Sequence, residues 1–329
     1  MNTIRILGTG SHLPPQVLTN DDLKRNGLAT SDEWIVRRTG VRQRRIARPD
    51  VTTSDLAHEA AMAALQRAGV DVSELDLIIA ATITPDTSCP SAANWLQAKL
   101  GAPQARSFDV VAACSGFVFA LDVARQYLLN DAARRVLVVA AEVMSRTLDW
   151  SDRTTCILWG DGAGAAVLAR GEHGPEILST TIHSDGSRGK DLLLPGGGSS
   201  TTPISHQSVD AGRHHLRMEH ASFSFKVAVH YLADAVREAA AANGVTVQQI
   251  DWVIPHQANL RLLEATADAL EIPVGKLYLT IHKYGNISSA SCAIALDEAA
   301  RDGTLRPGDL VCIPVFGGGL TWGAAMLRW

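Results

Sequence analysis

The chain has 329 residues, 46 per cent of them hydrophobic, which suits one large domain or two intimate ones around a substantial core. Charged residues make up 19 per cent and the formal net charge is -4, so nucleic acid is not an expected partner: non-specific phosphate binding needs a basic face. No apolar run approaches the ~20 residues of a membrane helix, and the opening MNTIRILGTGSHLPP lacks a signal-peptide core, so a cytoplasmic protein off the membrane is expected.

In chain order, apolar runs of strand length alternate with helical patterns. Ile4 to Leu7 reads as a strand, 53–68 as a helix, Leu77 to Ala81 as a strand, and 115–129 as a helix. Val136 to Ala140 reads as a strand, 222–243 as a helix, Trp252 to Ile254 as a strand, 287–301 as a helix, and Leu310 to Val315 as a strand. Such alternation predicts an α/β fold with buried sheets.

An internal repeat sharpens this picture. GVDVSELDLII from Gly69 matches GVTVQQIDWVI from Gly244, and ALDVA from Ala120 matches ALDEA from Ala295. The two pairs are separated by the same length of chain. Two matches at one offset predict a duplication: two α/β halves, 1–172 and 173–329, on a pseudo-twofold axis. The strand ending at Ala80 is then the counterpart of the strand ending at Ile254, which His256 follows. Cys114 precedes the first ALD helix, and Asn286 to Ser289 precede the second. Cys114, His256 and Asn286 are therefore expected to converge.

The cysteines are Cys89, Cys114, Cys156, Cys292 and Cys312. Their odd count and wide spacing suggest neither a disulfide framework nor a zinc site. Cys156, Cys292 and Cys312 sit in apolar runs and read as small buried hydrophobes. Cys114, in FDVVAACSGFVFAL, lies between a strand and a helix, where the helix N-terminus favours thiolate and small neighbours leave room for substrate. A lone cysteine is more commonly an inert packed residue; the helix start and the small neighbours favour a nucleophile here. His256, in WVIPHQANLRLLEAT, could be a helix cap. Asn286, after Gly285, could simply tolerate a left-handed turn. Gly317, Gly318 and Gly319 follow a strand and let backbone N–H groups approach a reacting oxygen. None of the other histidines, the His214–His215 pair included, shows metal-ligand spacing.

The segments GTGSHLPP, TSDEWIVRRTGVRQRRIA, AACSGF, DRTT, GDGAGAAVL, PHQANLR, KYGNISSASCAIALDEA and FGGGLTWGAA, in this order, resemble the β-ketoacyl-acyl-carrier-protein synthase III family nearly end to end. Singly they are weak; GDGAGA, for instance, could be an ordinary tight turn. The resemblance implies a thiolase fold layered α-β-α-β-α, a homodimer, and an acyltransferase that needs no cofactor. Its reaction would be decarboxylative Claisen condensation of an acyl-CoA primer with malonyl-acyl carrier protein, initiating fatty acid synthesis. It implies Cys114, His256 and Asn286 as catalytic residues and the N–H groups of Cys114 and Gly318 as an oxyanion hole. Trp34, Arg38, Arg153 and Asn259 would bind coenzyme A, Cys89 and Phe316 would shape the acyl pocket, and Lys226 and Arg261 would dock the carrier protein. For Trp34 the alternative is a core aromatic, and for Arg153 a surface salt bridge.

Three departures stand out. Ile287 replaces a usual Thr, removing a hydroxyl that could support the Asn286 turn. Met218–Lys226 lacks the customary glycine and asparagine and is one residue longer. Asp268 and Ala269 occupy places that can be basic in relatives. The departures around Ile287 and Ala221 keep open a specialised condensing enzyme of secondary metabolism. A Cys-His-Asn thioester hydrolase is the competing class, although such enzymes lack this duplicated pattern.

Overall fold

The strand and helix patterns are realised in a computed structural model, which describes residues 3–171, 173–199, 203–218 and 221–329, without the side chains of 221–224. The strands are β1 (Ile4–His12), β2 (Gln16–Thr19), β3 (Gln43–Ile46), β4 (Leu77–Ala81), β5 (Arg106–Val110), β6 (Arg135–Val143), β7 (Asp161–Arg170), β8 (Glu176–Ser184), β9 (Leu192–Leu193), β10 (Arg217–Met218), β11 (Trp252–Val253), β12 (Leu310–Gly317) and β13 (Thr321–Arg328). The helices are α1 (Asn20–Arg25), α2 (Asp32–Thr39), α3 (Thr53–Ala68), α4 (Ala92–Leu100), α5 (Gly116–Leu129), α6 (His206–Asp210), α7 (Ala221–Ala242), α8 (Leu260–Ala269), α9 (Ile281–Tyr284) and α10 (Ala290–Arg301).

Local chemistry sets several boundaries. Thr52 and Asp55 form a capping box at the start of α3, and Gly69 ends the helix in the left-handed conformation. The predicted helix at 287–301 begins only at Ala290, because Ser288 has φ 48° and breaks the helical path. The GDGAGA run is not a turn but the start of β7; a Cβ on Gly164 would lie 2.6 Å from the Ala293 Cβ, so this glycine lets α10 pack on the strand.

Nine strands run in the order β11-β12-β13-β8-β1-β7-β6-β4-β5. Outward from the centre, β1-β7-β6-β4-β5 matches β8-β13-β12-β11, and an isolated parallel bridge from Val253 to Leu277 stands where β5 stands beside β4. In each half the two inner pairings are antiparallel and the outer ones parallel. The halves meet at β1 and β8, through the single register pair Arg5↔Glu176. The pseudo-twofold axis therefore passes through this seam. In places the repeat holds to the residue. The first residues of β6 and β12, Arg135 and Leu310, stand at the repeat offset, as do Ala113 and Ser288, both with positive φ.

Strand alternation distributes the core into five layers. Ile78 and Ala80 of β4 face α3 and α4, whereas Leu77, Ile79 and Ala81 face α5 and α10. Leu310 and Cys312 of β12 face α7 and α8, whereas Val311, Ile313 and Val315 face the central helices. This is the α-β-α-β-α sandwich expected from the sequence. The aspartate of each ALD motif ties its central helix to the other half. Asp122 of α5 accepts from Thr180 of β8 at 2.6 Å, and Asp297 of α10 accepts from Thr9 and Ser11 of β1 at 2.9 and 2.6 Å.

Candidate active site

Cys114 lies on a sharp elbow between β5 and α5. Ala113–Ser115 form one 3-10 turn, and Ala113 has φ 45°, an unusual conformation for a residue other than glycine. Two glycines make room for it. A Cβ on Gly116 would lie 3.0 Å from the Ala81 Cβ, and one on Gly317 would lie 2.7 Å from the Cys114 amide nitrogen. The strand carrying the predicted glycines thus runs directly against the nucleophile's backbone.

The second elbow carries Asn286. Its N–H donates to Leu158 O at 2.8 Å, its carbonyl accepts from Gly160 N at 3.0 Å, and its Oδ1 accepts from Ser288 N at 2.8 Å. Beneath it lies Arg44, fully buried, which donates to Asn20 Oδ1 at 2.8 Å and Ile157 O at 2.6 Å; burial lowers its pKa to about 10. The left-handed residue of this turn is Ser288, not Asn286, so the turn alone does not account for an asparagine.

His256 follows β11, and its backbone N–H donates to Pro314 O of β12 at 2.9 Å. Gln257 fastens this loop to the chain leading toward Asn286. Its amide donates to Pro255 O and Tyr278 O at 2.8 and 3.2 Å, and its Oε1 accepts from Thr280 N and Ile281 N at 2.9 and 3.1 Å. His256 is thus bonded to β12, whose Gly317 packs on Cys114. Asn286 and Ser288 share the second elbow, whose Ser288 hydroxyl lies at the Cys114 thiol. The two elbows are thus in contact, and His256 is joined to the Cys114 elbow through β12. Ser288 and Gln257 were missed by the sequence reading. The offset from Ala113 was the available signal for Ser288; nothing local marked Gln257.

Burial governs protonation here. It pushes the Cys114 thiol up to about 12; the Ser288 hydroxyl partly opposes this and Glu142 adds to it. Burial lowers His256 to about 3, so its imidazole is neutral at ordinary pH, and its Nδ1 has no hydrogen-bond partner among the described residues. A neutral imidazole has one N–H to donate and little tendency to hold an extra proton. The helix N-terminus, expected to yield a partly ionised thiol, is thus opposed by desolvation. Cys156 and Cys312 are buried, with thiols raised to about 11 and about 12, in keeping with packed hydrophobes.

Trp34 on α2 is half-buried, not a core aromatic, and the guanidinium groups of Arg38 and Arg153 lie 5.0 and 4.9 Å from its ring centroid. Arg153 also donates to Ala29 O at 2.7 Å and makes no ion pair among the described residues. Asn259 caps α8 by accepting from Arg261 N at 3.0 Å, and donates to Arg38 O at 3.1 Å. The predicted coenzyme residues are therefore physically linked. Cys89 is exposed in the loop after β4. Phe316 stacks on Tyr231 of α7 at 6.1 Å, on the opposite side of β12 from the central helices. Lys226 and Arg261 are exposed. Within Met218–Lys226, Glu219 and His220 lie outside the described residues, as do the side chains of the four that follow. His214 and His215 lie with ring centroids 4.0 Å apart, and no group of three metal-ligating side chains is found among the described residues. Nor is any helix of the described residues long and apolar enough to cross a membrane.

Two halves of one topology, with the Cys114 elbow of one packed against the Asn286–Ser289 elbow and the glycine end of β12 of the other, define a thiolase-fold condensing enzyme. Models of the 3-oxoacyl-[acyl-carrier-protein] synthase III family match residues 108–186, and those of its C-terminal part match residues 240–329. A β-ketoacyl-[acyl-carrier-protein] synthase III of Alkalilimnicola ehrlichii is 50% identical over 331 residues, covering 100% of both chains. The crystal structure of 3-oxoacyl-[acyl-carrier-protein] synthase III from Aquifex aeolicus superposes with a TM-score of 0.90 at 44% identity, over 99% of this chain and 100% of that one. The priming β-ketosynthase of the R1128 polyketide pathway superposes with a TM-score of 0.89 at 35% identity, over 98% and 96%. The chain belongs to the β-ketoacyl-acyl-carrier-protein synthase III family.

Proposed function

We propose that this protein condenses an acyl-CoA primer with malonyl-acyl carrier protein, the first carbon–carbon bond of fatty acid synthesis. The observation that carries the reading is the packing of the Cys114 elbow against the elbow of Asn286 and against the end of β12, the strand that holds the neutral His256. In the first half-reaction the Cys114 sulfur attacks the primer's thioester carbonyl. The coenzyme thiol leaves with the cysteine's proton, and the acyl group stays on sulfur. In the second, the malonyl group loses carbon dioxide and its enolate oxygen accepts hydrogen bonds from His256 and Asn286. The enolate carbon attacks the acyl carbonyl, whose oxyanion faces the N–H groups of Cys114 and Gly318. Collapse expels the Cys114 thiolate, which takes a proton again. These steps call on no cofactor. Product mass spectrometry tests the whole: a β-ketoacyl carrier protein supports it, and free acid alone would support the hydrolase.

Trp34, Arg38, Arg153 and Asn259 are proposed as the coenzyme site, with an adenine replacing one of the guanidinium contacts on Trp34. Trp34→Ala is expected to raise the primer KM about tenfold, the loss of a contact worth roughly 1–2 kcal/mol, with kcat changed far less. A fall in kcat at fixed KM would make Trp34 structural.

We place the boundary of the halves at 172/173, between β7 and β8; Glu172 itself lies outside the described residues. A twofold dimer is proposed because β5 is an edge strand of the sheet and Val111 just after it is 75% exposed. Cys89 would then close the partner's acyl pocket together with Phe316, and Lys226 and Arg261 would receive the carrier protein. A small residue at 89 fits primers longer than acetyl, each added methylene contributing roughly 0.8 kcal/mol. Cys89→Phe should shift preference toward acetyl or propionyl in competition assays; an unchanged chain-length profile would remove Cys89 from the pocket. The cytoplasm is the proposed location, where a nucleophilic thiol stays reduced.

A further inference from the structure

The repeat offset gives each site residue a counterpart in the other half: Cys114 with Ser289, His256 with Ala81, Asn286 with Val111, and Gly317 with Glu142. On the Cys114 side, Gly317 has no side chain and lies against the nucleophile's amide. On the other side, Glu142 is a fully buried acid whose carboxyl reaches the nucleophile's counterpart. Its Oε1 is 2.8 Å from Ser289 Oγ, which is also 3.0 Å from Ala81 O. Its Oε2 accepts from Thr82 Oγ1 at 3.1 Å, Ile83 N at 3.1 Å and Thr84 Oγ1 at 2.7 Å. The second site of the duplication is thus filled, and its serine is fully buried. Nothing in the proposed chemistry uses either group.

We propose that Glu142 and Ser289 are positioning residues that fix the second elbow, and through it the Asn286 amide, for the condensation step. The elbow needs such an anchor. Ser288 has φ 48°, a strained backbone that persists only when its surroundings hold it. Its own hydroxyl finds no oxygen or nitrogen partner among the described residues. Ile287, immediately before it, is packed in the central core and offers no hydroxyl. The neighbouring bonds are Ile287 N to Ser291 Oγ at 2.9 Å and the Ser289–Glu142 contact, and the latter ties the elbow to β6 and to the loop after β4. The Ser289 hydroxyl lies within donating reach of both Glu142 Oε1 and Ala81 O, so one proton links the elbow to β6 and to the end of β4.

The inference rests on Asn286 serving condensation, so Asn286→Ala is the control. Ser289→Ala is expected to lower condensation kcat about tenfold, the effect of one lost bond and a displaced donor, while covalent acylation of Cys114 stays within about twofold. Ser289→Thr, which keeps the hydroxyl, should restore most of the loss. Acylation is read by mass gain, condensation by product, and folding by melting temperature. Unchanged condensation, or a proportional fall in both half-reactions, would overturn the proposal. If Ser289→Ala does not fold, Glu142→Gln decides by the same split. If Asn286→Ala itself condenses normally, the reading of the site fails rather than this extension of it.

Discussion

Cys114→Ala is expected to take up no acyl group from acyl-CoA, to gain no mass and to lose condensation by at least about 10³-fold, yet still to release carbon dioxide slowly from malonyl thioester. The first part follows from chemistry, since alanine has no nucleophile and removal of such a group abolishes the covalent route. The second follows from geometry. His256 is held by Pro314 and Asn286 by Leu158 and Gly160, none of which depends on the cysteine side chain. The enolate donors therefore stay in place. The small volume change on a crowded elbow, beside Gly116 and Gly317, leaves the fold intact. Full acylation of the variant would show that another residue carries the acyl group. Loss of decarboxylation together with acylation would show that His256 and Asn286 do not act on the malonyl group by themselves.

What the sequence disclosed and what it hid divide along physical lines. The helix 53–68 was legible residue for residue because its start and stop signals, Thr52, Asp55 and Gly69, are local. The duplicated halves were legible because a repeat is a property of sequence alone. So was the pairing of the Cys114 elbow with the Asn286 elbow, each of which precedes an ALD helix. The elbow at Ile287–Ser289 was not legible. A serine with positive φ has no sequence mark, and the apolar pattern ran straight through it into the helix. GDGAGA alone left a turn open because glycine is ambiguous until its neighbour is known, here α10. The protonation of Cys114 was hidden for the same reason. The helix terminus was visible, but the burial, Glu142 and Ser288 that act on the thiol come from distant chain. Phe316 shows the limit in a strand: alternation gives the face, whereas the Tyr231 that covers it comes from α7.

His256→Ala is expected to keep acylation and lose condensation, by roughly 10²–10³-fold, the effect of removing one oxyanion donor. The protonation states make the distinction sharp. A histidine lowered to about 3 is a poor acceptor for the proton of a thiol raised to about 12, so proton transfer within the pair is steeply uphill in this site. The imidazole's available task is donation from its N–H. Acylation then depends on ionisation of Cys114 itself, assisted by the N-terminus of α5. Its rate should rise with pH between about 6 and 9, approaching tenfold per unit, because the thiol ionises above that range, and the slope should be the same in wild type and in His256→Ala. A thioester hydrolase makes the opposite forecast. There the histidine is the base for the cysteine, so its loss stops acylation too and flattens the pH dependence. Measuring mass gain against pH, alongside β-ketoacyl product, separates the two. Acylation abolished in His256→Ala would assign the histidine to the thiol; acylation retained with condensation lost would assign it to the enolate.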